Sequence, residues 1–152
     1  MRKENPTRYT SAVGEAWMHT TFKVKYCHKI FDITEIRIEV EKLLKEALEF
    51  YKINYKKIGF DDNHVHCIID INNYSRPEVA KKLKGYTARK LLQKFPWMKK
   101  PKQLGGLFWN SGLWNPSYYM DSVGKDINFM ESYVMKQKYA REHFIQNKLI
   151  SY

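Results

Sequence analysis

The chain has little sulfur to work with. Its 152 residues include two cysteines, Cys27 and Cys67, too few for a disulfide scaffold and without the CxxC spacing of a zinc site. A reducing, cytoplasmic setting is therefore expected. Long apolar runs are also missing, because charged residues interrupt every hydrophobic stretch well short of the roughly 20 residues that a bilayer crossing requires. No membrane span is expected. The opening stretch from Met1 to Tyr9 is polar and basic with no apolar core, unlike a secretory signal. Glycine-rich phosphate cradles are absent, so a nucleotide cofactor has no visible seat. Acidic residues are in deficit, with 16 Asp+Glu against 27 Lys+Arg for a formal net charge of +11. Low hydrophobicity is not found either: 43% of residues are hydrophobic and 15% aromatic, which excludes a disordered chain despite its charge. The length suits one domain with its own core. Such a surplus on a small domain points to a polyanionic partner, nucleic acid before acidic membrane.

The surplus is concentrated. Residues 76–102 carry Arg76, Lys81, Lys82, Lys84, Arg89, Lys90, Lys94, Lys99, Lys100 and Lys102 against Glu78 alone, ten against one for a net +9. Ser75-Arg-Pro-Glu78 has the spacing of a capping box with proline in the first turn, and Val79, Leu83 and Tyr86 follow at helical intervals until Pro96. The segment reads as a helix with one basic face. Trp97, Phe108, Trp109 and Trp114 follow it and are candidates for stacking on unpaired bases.

Around this helix the pattern alternates in type. Residues 17–26 favour a strand. Asp32-Ile-Thr-Glu35 offers an N-cap with a carboxylate three residues on, ahead of an apolar stripe of Ile36, Val40, Leu43, Leu44, Ala47, Leu48 and Tyr51. Two β-like runs, 55–60 and 65–71, flank the turn-forming Asp61-Asp62-Asn63 and should form an antiparallel hairpin. A short β candidate at 113–123 and a final helix from about Asp126, with Ile127, Met130 and Val134 facing inward, complete the order. The β-α-β-β-α-β succession predicts an α+β, ferredoxin-like split βαβ sandwich with an antiparallel sheet, plus a C-terminal helix. It fills a single domain over 1–152, with a basic N-terminal arm at 1–15, the last helix at 125–140 and a tail at 141–152.

His64-Val65-His66 is the sharpest local feature. In a strand, His64 and His66 share one face, about 6.6 Å apart from two rises of roughly 3.3 Å, while Val65, Cys67, Ile69 and Ile71 share the core face. Two imidazoles at that spacing can lean onto one metal ion, although the pair is also common among ordinary half-exposed histidines. His19, His28 and His143 show no comparable pairing and receive no role. In the last helix Tyr133 and Gln137 lie four residues apart, hence on one face. A phenol can serve as a nucleophile and a carboxamide oxygen as a cation ligand.

The ordered set of these pieces resembles the single-tyrosine HuH transposases of insertion sequences, the IS200-like family. The resemblance runs from about Trp17 to Gln137. It rests on Asn63-His64-Val65-His66-Cys67-Ile68-Ile69, on Lys82 to Leu91 in the basic helix, on Leu113-Trp114 leading to Tyr118, on Ser122-Val123-Gly124, and on Tyr133-Val-Met-Lys-Gln137. Asn63, Ser117 and Tyr119 depart from the family's usual Asp, Gly and Phe. The resemblance implies metal-dependent cleavage and rejoining of single-stranded DNA, with His64, His66 and Gln137 holding Mg²⁺ or Mn²⁺ and Tyr133 as the nucleophile that becomes a 5′-phosphotyrosine. It also implies a homodimer whose active sites are shared between subunits or kept within each. DNA hairpins at the element ends would be its partner, held by Arg76, Lys81, Lys82, Lys84, Arg89, Lys90 and Lys94. Two other readings fit parts of the pattern: a non-catalytic module binding single-stranded RNA, and a domesticated repeat-processing nuclease with the same chemistry.

Overall fold

Alternating apolar residues build a sheet whose two faces do different work. In the computed structural model, which describes residues 7–9, 12–109, 111–123 and 127–136, the four strands are β3 (Trp17–Lys23), β4 (Asn54–Phe60), β5 (His64–Asp70) and β6 (Tyr119–Ser122), laid out β4-β5-β3-β6 with every neighbouring pair antiparallel. Two helices, α1 (Thr34–Phe50) and α2 (Arg76–Lys94), make the crossovers, and a short helix α3 (Ile127–Met135) follows β6. The order of strands and helices is the expected split βαβ sandwich, its first and third strands central. Within the segment expected to be a basic arm, β1 (Thr7–Tyr9) pairs antiparallel with β2 (Ala12–Gly14).

The main core lies between α1, α2 and one face of the sheet. Phe22 from β3, Val65, Cys67 and Ile69 from β5, Val40 and Leu44 from α1, and Leu83 and Leu91 from α2 are all fully buried there. Burial in this layer pushes the Cys67 thiol up to about 12, which leaves it a small hydrophobe rather than a reactive thiol. The pairing of β4 with β5 slips between Tyr55 and Ile58. An extra residue in a strand restores side-chain facing across an odd interval, so Tyr55 and Ile58 both pack against the main core.

Several elements differ from their predicted bounds. The first strand stops at Lys23, and Val24 contributes a single bridge to Trp114 before Tyr26 and Cys27 take positive φ. The α1 cap falls on Ile33 with no side-chain bond, because Asp32 belongs to a preceding 3-10 turn over Ile30–Asp32. The Ser75 box is formed as expected: its hydroxyl accepts from the Glu78 N–H and the Glu78 carboxylate accepts from the Ser75 N–H. Of the aromatic residues after α2, Phe108 and Trp114 belong to the core, and the Trp114 Nε1–H donates to Thr87 Oγ1 at 2.9 Å. Trp97 packs partly against that core, and Trp109 is exposed.

Candidate active site

The site is built on the sheet face turned away from α1 and α2. Alternation along β5 sends His64 and His66 to this face, their ring centroids 4.8 Å apart. Antiparallel pairing with β3 sets Thr21 across from His66 and His19 across from Ile68. His66 Nδ1 then lies 2.9 Å from His19 Nε2 and 2.9 Å from Thr21 Oγ1. The His19 and His66 rings stack, 5.1 Å between centroids at 21°. On His64, Nδ1 lies 2.8 Å from Asn63 Oδ1. Each ligand candidate thus has its Nδ1 occupied, and neither Nε2 has a hydrogen-bond partner among the described residues.

A second, smaller core brings α3 onto the same face. Val134 is fully buried with Trp17, Ile68 and Val123, and Met130 packs against them. The helix comes this close because β4 carries glycine at position 59. A Cβ there would collide with the Val134 carbonyl oxygen and stand 3.1 Å from Val134 Cγ1. Lys56 adds a clamp: its ammonium lies 3.2 Å from Glu131 and 5.0 Å from the centre of the Trp17 ring. Docked this way, α3 places Tyr133 of the same chain edge-on to two histidines, with centroids 5.8 Å from His66 and 5.6 Å from His19. Tyr133 remains 43% exposed, open to a large substrate.

His64, His66 and Tyr133 therefore meet, and Gln137 lies outside the described residues. His19 belongs to the group although its sequence surroundings did not mark it. Its facing was legible from strand alternation, but its pairing with His66 depends on register between strands 47 residues apart. His28 lies elsewhere, its Nε2 3.1 Å from the Leu107 carbonyl, and His143 is outside the described residues. The donor chemistry fits a divalent cation: two imidazoles with open Nε2 atoms. Among the described residues no third His, Cys, Asp or Glu completes the set. Burial, followed by the neighbouring His64 and His19, pushes His66 down to about 3. It is neutral near pH 7, the form in which imidazole ligates metal.

Against this geometry, the family model described as "Transposase IS200 like" matches residues 12–137. The chain belongs to the IS200-like transposase family. Membership carries DNA-cleaving and rejoining activity as the family's chemistry. The ISDra2 transposase TnpA of Deinococcus radiodurans is 25% identical to this transposase over 109 residues, 71% of this chain and 73% of the relative. A crystal structure of a candidate transposase from Deinococcus radiodurans R1 shares the fold with a TM-score of 0.67 at 21% identity, covering 93% of this chain and 96% of that one. The structure of a REP-associated tyrosine transposase bound to a REP hairpin aligns with a TM-score of 0.55 at 10% identity, over 84% and 70%.

The basic residues of the transposase's α2 do not form a single face. Lys84 reaches one side, its ammonium donating to the carbonyls of Asn115, Pro116 and Ser117 at 2.7, 3.3 and 3.0 Å. Burial lowers its pKa, and it staples α2 to the loop before β6. Arg76 donates to the Met120 carbonyl at 3.1 Å, fastening α2 to β6. On the other side Lys94 pairs with Glu39 of α1 at 2.9 Å, and Lys90 donates to Tyr86 Oη, which donates to Glu46. Lys82 lies over the rings of Tyr51 and Tyr74. Lys81 and Arg89 point to solvent. One basic face was expected, but α2 packs against both acidic α1 and a carbonyl-rich loop, which divides the cations between them.

Two outcomes are expected. Gly59→Val should prise α3 from β4, raising hydrogen exchange in α3 peptides while β3 and β5 stay protected; unchanged exchange in α3 would mean that the helix does not depend on this notch. The second concerns acid. An unfolded chain protonates His66 near 6.5 while the folded chain resists to about 3, so this residue's contribution is full above pH 6.5 and is lost as pH falls toward 3. Urea midpoints taken at about pH 7.5 and about pH 5 should fall less for His66→Gln than for the wild type.

Proposed function

We propose that this protein is an insertion-sequence transposase that nicks and rejoins single-stranded DNA through a covalent bond to Tyr133. The observation that carries the reading is the meeting of the Tyr133 ring with His66 and His19 on one sheet face, beside His64. The phenolic oxygen attacks the scissile phosphorus, the bond from phosphorus to the 3′ oxygen breaks, and that oxygen leaves as a 3′-hydroxyl after taking up a proton. A 5′-phosphotyrosine results. The ester energy is conserved, so a 3′-hydroxyl can reverse the step and join strands without a nucleotide.

His64, His66 and Gln137 would hold Mg²⁺ or Mn²⁺, which when bound neutralises charge on the phosphate and assists the leaving oxygen. Two imidazoles bind Mn²⁺ more strongly than Mg²⁺. Hairpin recognition is extended to this chain from the REP-associated relative, whose structure is bound to a REP hairpin. Its anchors would be the charges of α2, led by Lys81 and Arg89, with Arg76, Lys82, Lys84, Lys90 and Lys94 contributing where their intramolecular contacts leave protons to share. One active site per chain and two element ends to join make a homodimer part of the proposal. The insertion-sequence reading is favoured over a domesticated one by the sequence match to the ISDra2 transposase over 71% of this chain.

Incubated with Mn²⁺ and single-stranded DNA carrying a hairpin, the wild type should form an adduct stable to denaturing electrophoresis, attached to the fragment with the 5′ phosphate. Tyr133→Phe should form none while still shifting the DNA in a native gel. An adduct that persists in Tyr133→Phe overturns the assignment of the nucleophile, and Tyr139 becomes the one to test. Replacing Lys81 and Arg89 with alanine should each flatten the plot of log affinity against log salt by about 0.9 on a hairpin stem, without lowering the melting temperature. Equal slopes in wild type and variants would remove α2 from the DNA surface.

A further inference from the structure

His19 stands at the centre of the site and has no part in the chemistry above. It is 6% exposed, and its ring touches three others: His66 in a stack, and Tyr133 and Tyr119 edge-on at centroid distances of 5.6 Å each. Its polar contact is more specific than its packing. A neutral imidazole has one proton, and the nitrogen without it is the one that can bind a metal. For His66 to offer Nε2, the proton must sit on Nδ1, and Nδ1 must then donate. His19 Nε2, 2.9 Å away, can accept it when His19 carries its own proton on Nδ1. The hydroxyl of Thr21, at the same distance, can either donate or accept and so does not by itself choose the tautomer. The stack at 21° holds the plane of the His66 ring as well.

We propose that His19 is a positioning residue for the metal site: it takes the Nδ1 proton of His66, keeps that ring's Nε2 bare, and fixes its plane beside Tyr133. The inference rests on His66 being a ligand, as proposed above. Partners of this kind behind a metal-bound imidazole contribute about 10–100-fold in metal affinity. Such a partner should be replaceable by a side chain with an acceptor in the same place. Glutamine puts its amide end near where the imidazole Nε2 stood, whereas leucine fills the space with no acceptor.

The test is Mn²⁺ binding to the full chain without DNA, followed by the electron paramagnetic resonance signal of free Mn²⁺. His66→Ala should lose binding, which checks the ligand reading. His19→Leu should bind about 10–100-fold more weakly, and His19→Gln should recover most of the loss. If His66→Ala binds like the wild type, the ligand reading fails and this inference with it. If His66→Ala loses binding while His19→Leu keeps the wild-type affinity, the ligand reading survives and the inference about His19 is overturned. A second measurement avoids variants altogether. Long-range nitrogen–proton correlation spectra of the metal-free wild type should show His66 protonated at Nδ1; a proton on Nε2 would overturn the proposal.

Discussion

The antiparallel register of β3 against β5 is the constraint on which the site depends. It sets Thr21 opposite His66 and His19 opposite Ile68, and the pleat sends all of these except the core-facing neighbours to one surface. Moving the pairing by one residue would turn His64, His66 and Ile68 toward α1 and α2 and Val65, Cys67 and Ile69 outward. The large buried side chains on the other face, Phe22, Val65, Cys67 and Ile69, forbid that slip. The hydrophobic layer thereby holds polar groups in place that it never touches.

A sheet covered on one face by two helices still has a second face to account for, and here it is shared. Its outer half is closed by a small apolar cluster of Trp17, Ile68, Val123 and Val134. The other half carries His64, His66, His19 and Tyr119. Because α3 docks through Val134 and the Gly59 notch, the residue just before Val134 lands where the cluster gives way to the histidines. Hydrophobic burial at one position therefore aims a polar side chain at the next. The half-buried Lys56–Glu131 pair is screened less than a surface pair would be and adds direction to a contact that burial alone leaves free to rotate.

Charge is distributed by the same logic. A net charge of +11 opposes compaction, and the fold answers part of it internally, with Glu39 and Glu46 of α1 facing Lys94 and the Tyr86–Lys90 pair. Lys84 is held by three carbonyls instead of a carboxylate, so it keeps its charge without losing it to a salt bridge. Structural tethering and surface potential are thus supplied by one helix, through different residues of it.

The sequence by itself determined the element order, the sandwich, the capping box at Ser75 and the shared facing of His64 and His66. All of these follow from local rules: the two-residue repeat of strands, the helical repeat, and the side chains that satisfy a helix terminus. It also placed the charge in residues 76–102, but could not say how those cations are divided. Tertiary structure alone decided that Phe108 and Trp114 are core, that Asp32 is not the α1 cap, and that Lys84 staples a loop. It alone joined His19 to His66 and α3 to Gly59. Each of these depends on which distant segments share a surface, and pairing across 47 residues leaves no local period to read. An imidazole carries the same pattern in the chain whether it faces solvent, a metal or another imidazole, and only the register of the opposing strand distinguishes them.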